Sequence, residues 1–256
     1  MDVFEVLSGR RCRMSVCPHD TAKSVYGWFF LNSYLQPRLG IRLGFEPQES
    51  FLAERADVLG GGYDLVYANP YSAVVFSREQ GFVPVARPVG IVDETFLVAR
   101  PDVAPPADGR RLRISSATDQ LVVHRLGLTL LSRIGLREDA VDFVYTGNHL
   151  AAAKAVIDGQ ADLGFVFNET WNGMSEYSRT ELRVLTRTAQ NLAFHCFMVG
   201  PAFADRLDDI RTVLTSMSAD PEGTDILAEL GFRAGLQPAL PAELKALEGL
   251  IPLATR

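Results

Sequence analysis

The sequence predicts a two-lobed α/β fold, each lobe a mostly parallel sheet flanked by helices, with two crossing strands joining the lobes. Three observations predict it. Tyr63-Asp64-Leu65-Val66-Tyr67-Ala68-Asn69 and Ala161-Asp162-Leu163-Gly164-Phe165-Val166-Phe167-Asn168 share one pattern: shortly after a glycine (Gly62, Gly159), an aspartate leads into an apolar strand that ends on an asparagine. Such strands place ligand sites at their carboxyl ends. The two copies lie about a hundred residues apart, and similar strand and helix alternation surrounds each. Last, the segment after residue 200 is helical in pattern and offers no further sheet, so the chain returns to its first lobe.

Taken in order, residues 11–16 read as a strand closing at Cys17-Pro18, and Asp20 or Thr21 caps a helix running to Leu39. A strand over 41–45, a helix over 50–59 stopped by Gly60-Gly61-Gly62, a strand over 65–68, a helix over 70–80 and a strand over 83–87 complete βαβαβαβ. Residues 91–99 are strand-like and lead into the turn-rich 101–109, the first crossing. Strands then follow over 112–115, 141–145, 163–167 and 182–186, with helices over 119–134, over 149–158 and from 170. Residues 192–199 form a returning strand. The lobes are expected at 1–95 with 200–256, and at 96–199. Two crossings make a two-segment hinge, which suits closure on a ligand.

With 256 residues and 47% hydrophobic content, the chain can fill two cores. Its 25 basic and 31 acidic residues leave a net charge of -6, and only the pairs Arg10-Arg11 and Arg110-Arg111 cluster basic charge, so nucleic acid is not an expected partner. No apolar run reaches the roughly 20 residues of a membrane span. Residues 1–6 lack the pattern of an export signal, which points to the cytoplasm, or to the periplasm if a leader precedes the chain. Three cysteines without CxxC spacing argue against a disulfide framework.

Further phrases accompany the two repeats: Gly81-Phe82-Val83-Pro84-Val85-Ala86, Gly147-Asn148-His149 before an Ala-rich helix, Leu182-Arg183-Val184-Leu185, and Asp220-Pro221-Glu222-Gly223 with Ile226-Leu227 through Leu230-Gly231. In this order they resemble the type 2 periplasmic binding proteins, and among them the phosphonate-, phosphite- and phosphate-binding proteins of ABC transporters. The resemblance covers about 11–235. It implies a solute-binding protein that closes on a small oxyanion, with an ABC permease or a signalling protein as partner, no cofactor, no metal and no membrane insertion.

The resemblance also implies an anion on the amino terminus of the second lobe's first helix, next to Ser115, Ser116 and Thr118. Free helix N–H groups and the macrodipole favour an anion there independently, although Ser116 or Thr118 can equally be a simple N-cap. His149 matches a position where relatives place a histidine beside the oxyanion; its alternative is a helix-start residue. Asn69 and Tyr71 are expected to face the ligand from the first lobe, with Tyr67 either aromatic wall or core. Asn168 closes the second repeat, and Glu169 or Glu94 can hold a ligand ammonium or remain solvated.

Other constellations are weaker. Cys17, His19, His195 and Cys196 can be read as a soft-metal or arsenic-oxyanion cluster, but inert buried thiols are the default and no zinc spacing occurs. No GxSxG, GxGxxG or GxxxxGK[ST] is present. The residues at 28–31 and 34–35 form an apolar helix face that reads as core, and Trp171 is a lid or a packing residue. The expected activity is binding without catalysis; the alternatives are a leaderless cytoplasmic enzyme of the same fold, of the cofactor-biosynthesis type, or a ligand-sensing module.

Overall fold

Short runs rich in Val, Leu, Phe and Tyr, bounded by Gly, Pro and Asn, build the strands of the computed structural model, which describes residues 11–103 and 110–251. Expectations placed on residues 1–10, 104–109 and 252–256 lie outside the described residues. The chain divides into two compact units, Met1–Ile91 with Phe194–Glu248, and Val92–Ala193 with Gly249–Arg256.

The first unit opens with β1 (Arg11–Val16), α1 (Pro18–Lys23), α2 (Val25–Leu39), β2 (Arg42–Phe45), α3 (Phe51–Leu59), β3 (Leu65–Ala68), α4 (Pro70–Gln80) and β4 (Val83–Pro88). The second unit holds β5 (Thr95–Ala99), β6 (Leu112–Ser116), α5 (Val122–Arg133), β7 (Val141–Tyr145), α6 (His149–Ile157), β8 (Leu163–Phe167), α7 (Asn168–Gly173), α8 (Glu176–Thr180) and β9 (Arg183–Arg187). The return segment supplies β10 (Cys196–Val199), α9 (Leu207–Thr215), α10 (Pro221–Glu229), β11 (Leu236–Pro238) and α11 (Pro241–Leu247).

Sheet order is β11-β4-β10-β3-β1-β2 in the first unit and β7-β6-β8-β5-β9 in the second. Both sheets are mixed, with four of the six strands of the first and four of the five of the second running one way. β1 runs parallel to β2 and β3, but β10 is antiparallel to β3 and β4; likewise β6 is parallel to β7 and β8, while β5 is antiparallel to β8 and β9. A strand inserted by a chain that crosses over enters its sheet from the opposite end, which accounts for the reversed direction.

The unit boundaries fall at Ile91/Val92 and Ala193/Phe194, a few residues before the 95/96 and 199/200 expected. Asp93 N donates to Ala193 O at 2.8 Å, and β5 is paired throughout with β8 and β9, so the crossing precedes the turn-rich stretch. β10 pairs only within the first sheet. The return segment also adds a strand that its helical pattern hid: β11 pairs with β4 through Leu236 to Pro88 and Pro238 to Ala86.

The long opening helix is broken at Ser24, whose φ of -155° is not helical and whose hydroxyl accepts from Gly27 N at 3.0 Å to cap α2. α2 buries Trp28, Leu31, Tyr34, Leu35 and Leu39 and leaves Tyr26, Phe29 and Phe30 exposed. Trp28 packs on Tyr67 at 4.8 Å between ring centroids and against Phe197 and Phe232 at 6.1 and 6.0 Å, aromatic pairings of about 0.5–1.5 kcal/mol each beyond their burial. Its indole Nε1 donates to Asp20 O at 3.1 Å, so the core also fixes α1. Tyr67 is thus core, only 1% exposed.

In the second unit, Phe165 on β8 lies against Gly127 of α5, where an added Cβ would fall 2.5 Å from the ring. Glycine there allows α5 to settle onto the sheet. Trp171 stacks on Phe96 at 5.7 Å, which makes it a packing residue.

Candidate functional site

The topology of the first unit gathers polar groups at one end of its sheet. Because β10 is antiparallel to β3, its amino end lies beside the carboxyl end of β3 and at the same sheet end as that of β1. Cys17 follows β1, Asn69 follows β3 and His195 precedes β10. Asn69 caps α4: its Oδ1 accepts from Ser72 N at 3.0 Å, and its Nδ2 donates to Ser72 Oγ at 3.1 Å and to Cys17 Sγ at 3.8 Å. Tyr71 is buried under the Arg55 guanidinium, which lies 4.6 Å from its ring centroid.

Asp20 bonds through Oδ2 to His195 Nδ1 at 2.7 Å and through Oδ1 to Lys23 Nζ at 2.8 Å. Burial alone would push its carboxyl up, but His195 and Lys23 hold it far below the usual carboxylate range. Glu54 of α3 is fully buried, and neither carboxylate oxygen has a hydrogen-bond partner among the described residues. Burial raises its pKa to about 8, against the pull of Arg55 and His195. The Cys17 thiol is raised well above its ordinary value by burial and by the charges of Asp20 and Glu54, and Cys196 is raised chiefly by burial.

In the second unit, the parallel strands β6 and β7 end side by side. Thr146 N donates to Ser116 O at 3.0 Å and Gly147 N to Ala117 O at 2.9 Å, which stitches the loop before α6 onto the loop after β6. Gly147 has a φ of +82°, a left-handed turn that a side chain would strain. Asn148 caps α6 by accepting from Ala151 N at 2.8 Å, so His149 is the first helical residue and not the cap. It is buried, its ring 5.0 Å from that of Phe167.

α5 starts at Val122, three residues later than expected, because Thr118 holds a local turn by accepting from Gln120 N at 3.3 Å. Neither Ser116 nor Thr118 is its N-cap; that position is Leu121, and no side chain caps the helix. Ser116 Oγ lies 3.2 Å from His124 Nδ1 and 3.4 Å from Thr118 O. His124 belongs to no motif in the sequence, although it shares a helix face with Gly127 and Leu131. Burial first, then Arg125, lowers its pKa to about 4, so the imidazole is neutral at pH 7.

Two expected ligand residues have other tasks. Ser115 is fully buried, and its single O–H donates to Ala152 O at 2.7 Å with Leu163 O at 3.3 Å, which ties β6 to α6 and β8. It has no second proton for an anion. Asn168 accepts from Glu94 N at 2.9 Å and donates to Val92 O at 2.9 Å, clamping the incoming segment. Glu94 is buried; its Oε1 accepts from Asn191 N at 2.7 Å, which secures the outgoing segment, while its Oε2 has no hydrogen-bond partner among the described residues. Glu169, half-buried, follows in the first turn of α7. Asn168→Ala should therefore lower stability by about 2 kcal/mol, two hydrogen bonds at about 1 kcal/mol each. Denaturant midpoints at an unchanged m-value check this.

A family model described as ABC transporter, phosphonate, periplasmic substrate-binding protein matches residues 14–244. A search of curated protein sequences returns no match. Among solved structures, PhnD1 from Prochlorococcus marinus, in complex with methylphosphonate, superposes with a TM-score of 0.78 at 14% identity over 93% of this chain and 96% of that one. XAC2383 from Xanthomonas citri, bound to chloride, gives 0.75 at 20% identity over 93% and 95%. The aliphatic sulphonate binding protein SsuA from Escherichia coli gives 0.60 at 16% identity over 96% and 80%. At these identities the likeness is one of fold.

Proposed function

The chain belongs to the phosphonate periplasmic substrate-binding family of ABC transporter components, and from that premise we propose that its second unit binds a small tetrahedral oxyanion (phosphonate, phosphite or phosphate) at the amino terminus of α5. The uncapped start of that helix, reached directly from Ser116 and Thr118, carries the reading. Its first-turn N–H groups need acceptors, and the macrodipole adds a favourable field for negative charge. Ser116 exchanges its weak bond to Thr118 O for one to a ligand oxygen, while neutral His124, as the Nδ1–H tautomer, supports its hydroxyl. Thr118, which donates to Asp119 Oδ1 at 3.2 Å, exchanges that bond for one to the ligand. His149, the first residue of α6, stands next to the adjoining loop as a further donor.

The ligand passes to an ABC permease on the outer face of the membrane; no described helix is long and apolar enough to cross one. The protein binds and releases without turnover, because hydrogen-bond donors around a ground-state anion lack a nucleophile with an oriented base. Family membership favours this over the enzyme alternative.

Calorimetric titration with methylphosphonate, phosphite and phosphate tests the proposal. Ser116→Ala combined with Thr118→Ala should weaken binding by about 10²–10⁴-fold, two charge-assisted bonds at about 1.5–3 kcal/mol each. Unchanged affinity in a folded double variant would place the anion elsewhere. Phosphorus NMR of the incubated protein should show ligand broadening without product signals; steady product formation would assign it to the enzymes.

A further inference from the structure

The first unit contains a group of side chains that oxyanion binding at α5 does not use. One ligand atom from each of Cys17, Asp20 and His195 lies within 4.8 Å of the other two. The residues are 0%, 4% and 7% exposed. They stand at one sheet end for the topological reason given above, and the backbone holds them there: Cys17 N donates to Tyr67 O at 2.8 Å, and Asp20 O is held by the Trp28 indole.

We propose that Cys17, Asp20 and His195 form a binding site for a divalent d-block cation of the zinc type. Thiolate, imidazole and carboxylate are the donor set such ions select, whereas calcium and magnesium require oxygen ligands throughout. A tetrahedral ion at zinc-like bond lengths spaces its ligand atoms roughly 3.3–3.6 Å apart. The Asp20–His195 contact of 2.7 Å must therefore open by roughly 0.6 Å, within the reach of side-chain rotation. The thiol proton and the proton shared by His195 and Asp20 leave to solvent when the ion enters. Lys23 retains Asp20 Oδ1 and keeps the carboxylate oriented.

Glu54 is the second, independent observation. A fully buried carboxyl group with neither oxygen hydrogen-bonded costs stability and requires a reason. It is close enough to Asp20, His195 and Cys17 to be coupled to them electrostatically. A divalent ion at the three ligands favours the ionised form of Glu54, whose proton then leaves to solvent, and turns this burden into an attraction.

The experiment uses the full chain without an affinity tag, reduced and stripped of metal by a chelator, and titrated with Co²⁺. Wild type should develop a thiolate-to-cobalt charge-transfer band that saturates at equimolar metal and is displaced by Zn²⁺. Cys17→Ser should lose the band, while Cys12→Ser and Cys196→Ser, the two other buried thiols, should keep it. His195→Gln and Asp20→Asn should each weaken Zn²⁺ at least about tenfold in competition with a chelating dye. These two variants decide the matter if Cys17→Ser does not fold by circular dichroism. Absence of the band in wild type, its survival in Cys17→Ser, or undiminished zinc affinity in both His195→Gln and Asp20→Asn would overturn the site. None of these readouts depends on anion binding at α5.

Discussion

Asp20→Ala should cost about 3–5 kcal/mol of folding stability at neutral pH in the metal-free protein, the usual penalty for removing one partner of a buried ion pair. The substitution leaves His195 Nδ1 and Lys23 Nζ without the carboxylate that both contact. His195→Gln should lose much of the same stability, and the double variant should lose clearly less than the sum, since both changes break one interaction. The pH dependence has a defined sign. Asp20's carboxyl is depressed in the folded state, so its contribution is fully present above the unfolded pKa of about 3.9 and is lost progressively as pH falls from there towards the much lower folded pKa. The gap between wild type and variant should therefore narrow steadily as pH falls below about 4. Urea titrations at pH 7 and pH 2.5 measure it, and a loss under about 1 kcal/mol at pH 7 would mean that the pair is not buried as described.

Glu54→Gln should act in the opposite direction. The folded pKa of about 8 lies above the ordinary carboxylate value, so the native state binds a proton that the unfolded chain has already released. That contribution is fully present below about pH 4.5 and is lost as pH rises towards 8. Gln cannot ionise. The variant should therefore gain on wild type by about 1.4 kcal/mol per pH unit between about pH 5 and 8, approaching about 4 kcal/mol. The comparison uses metal-free protein, because an ion at Cys17, Asp20 and His195 would favour the carboxylate. Parallel stability curves for the two proteins across this range would show that Glu54 ionises normally.

Glu54 also marks how much of the chemistry was legible. Phe51, Glu54, Arg55 and Val58 follow helical spacing and are all buried, so the pattern that identifies an amphipathic helix already pointed two charged residues inward. His124 carries the same kind of signal beside Gly127. Neither stands out in the sequence, because a polar residue on an apolar stripe has the look of an interruption of it. Asn168 and Ser115 show the reverse case. Their positions at strand ends suggest ligand contacts, yet the one proton of Ser115, and the oxygen and one N–H of the Asn168 amide, are engaged by backbone 37 to 76 residues away in the chain.

The repeated strand phrases, the glycine stops and the helical periodicity are local, and local sterics with apolar spacing determined the two-lobed α/β class and nearly every element from the sequence alone. Strand direction, the short β11 and the meeting of Cys17, Asp20 and His195 were decided by tertiary structure. Each depends on where a returning segment inserts into a sheet already formed. The side-chain pattern of a strand has period two whether its neighbour runs parallel or antiparallel, so direction leaves no mark on it. His195 reaches Asp20 only because β10 enters beside β3 from the opposite end, a contact across 175 residues that no local preference encodes.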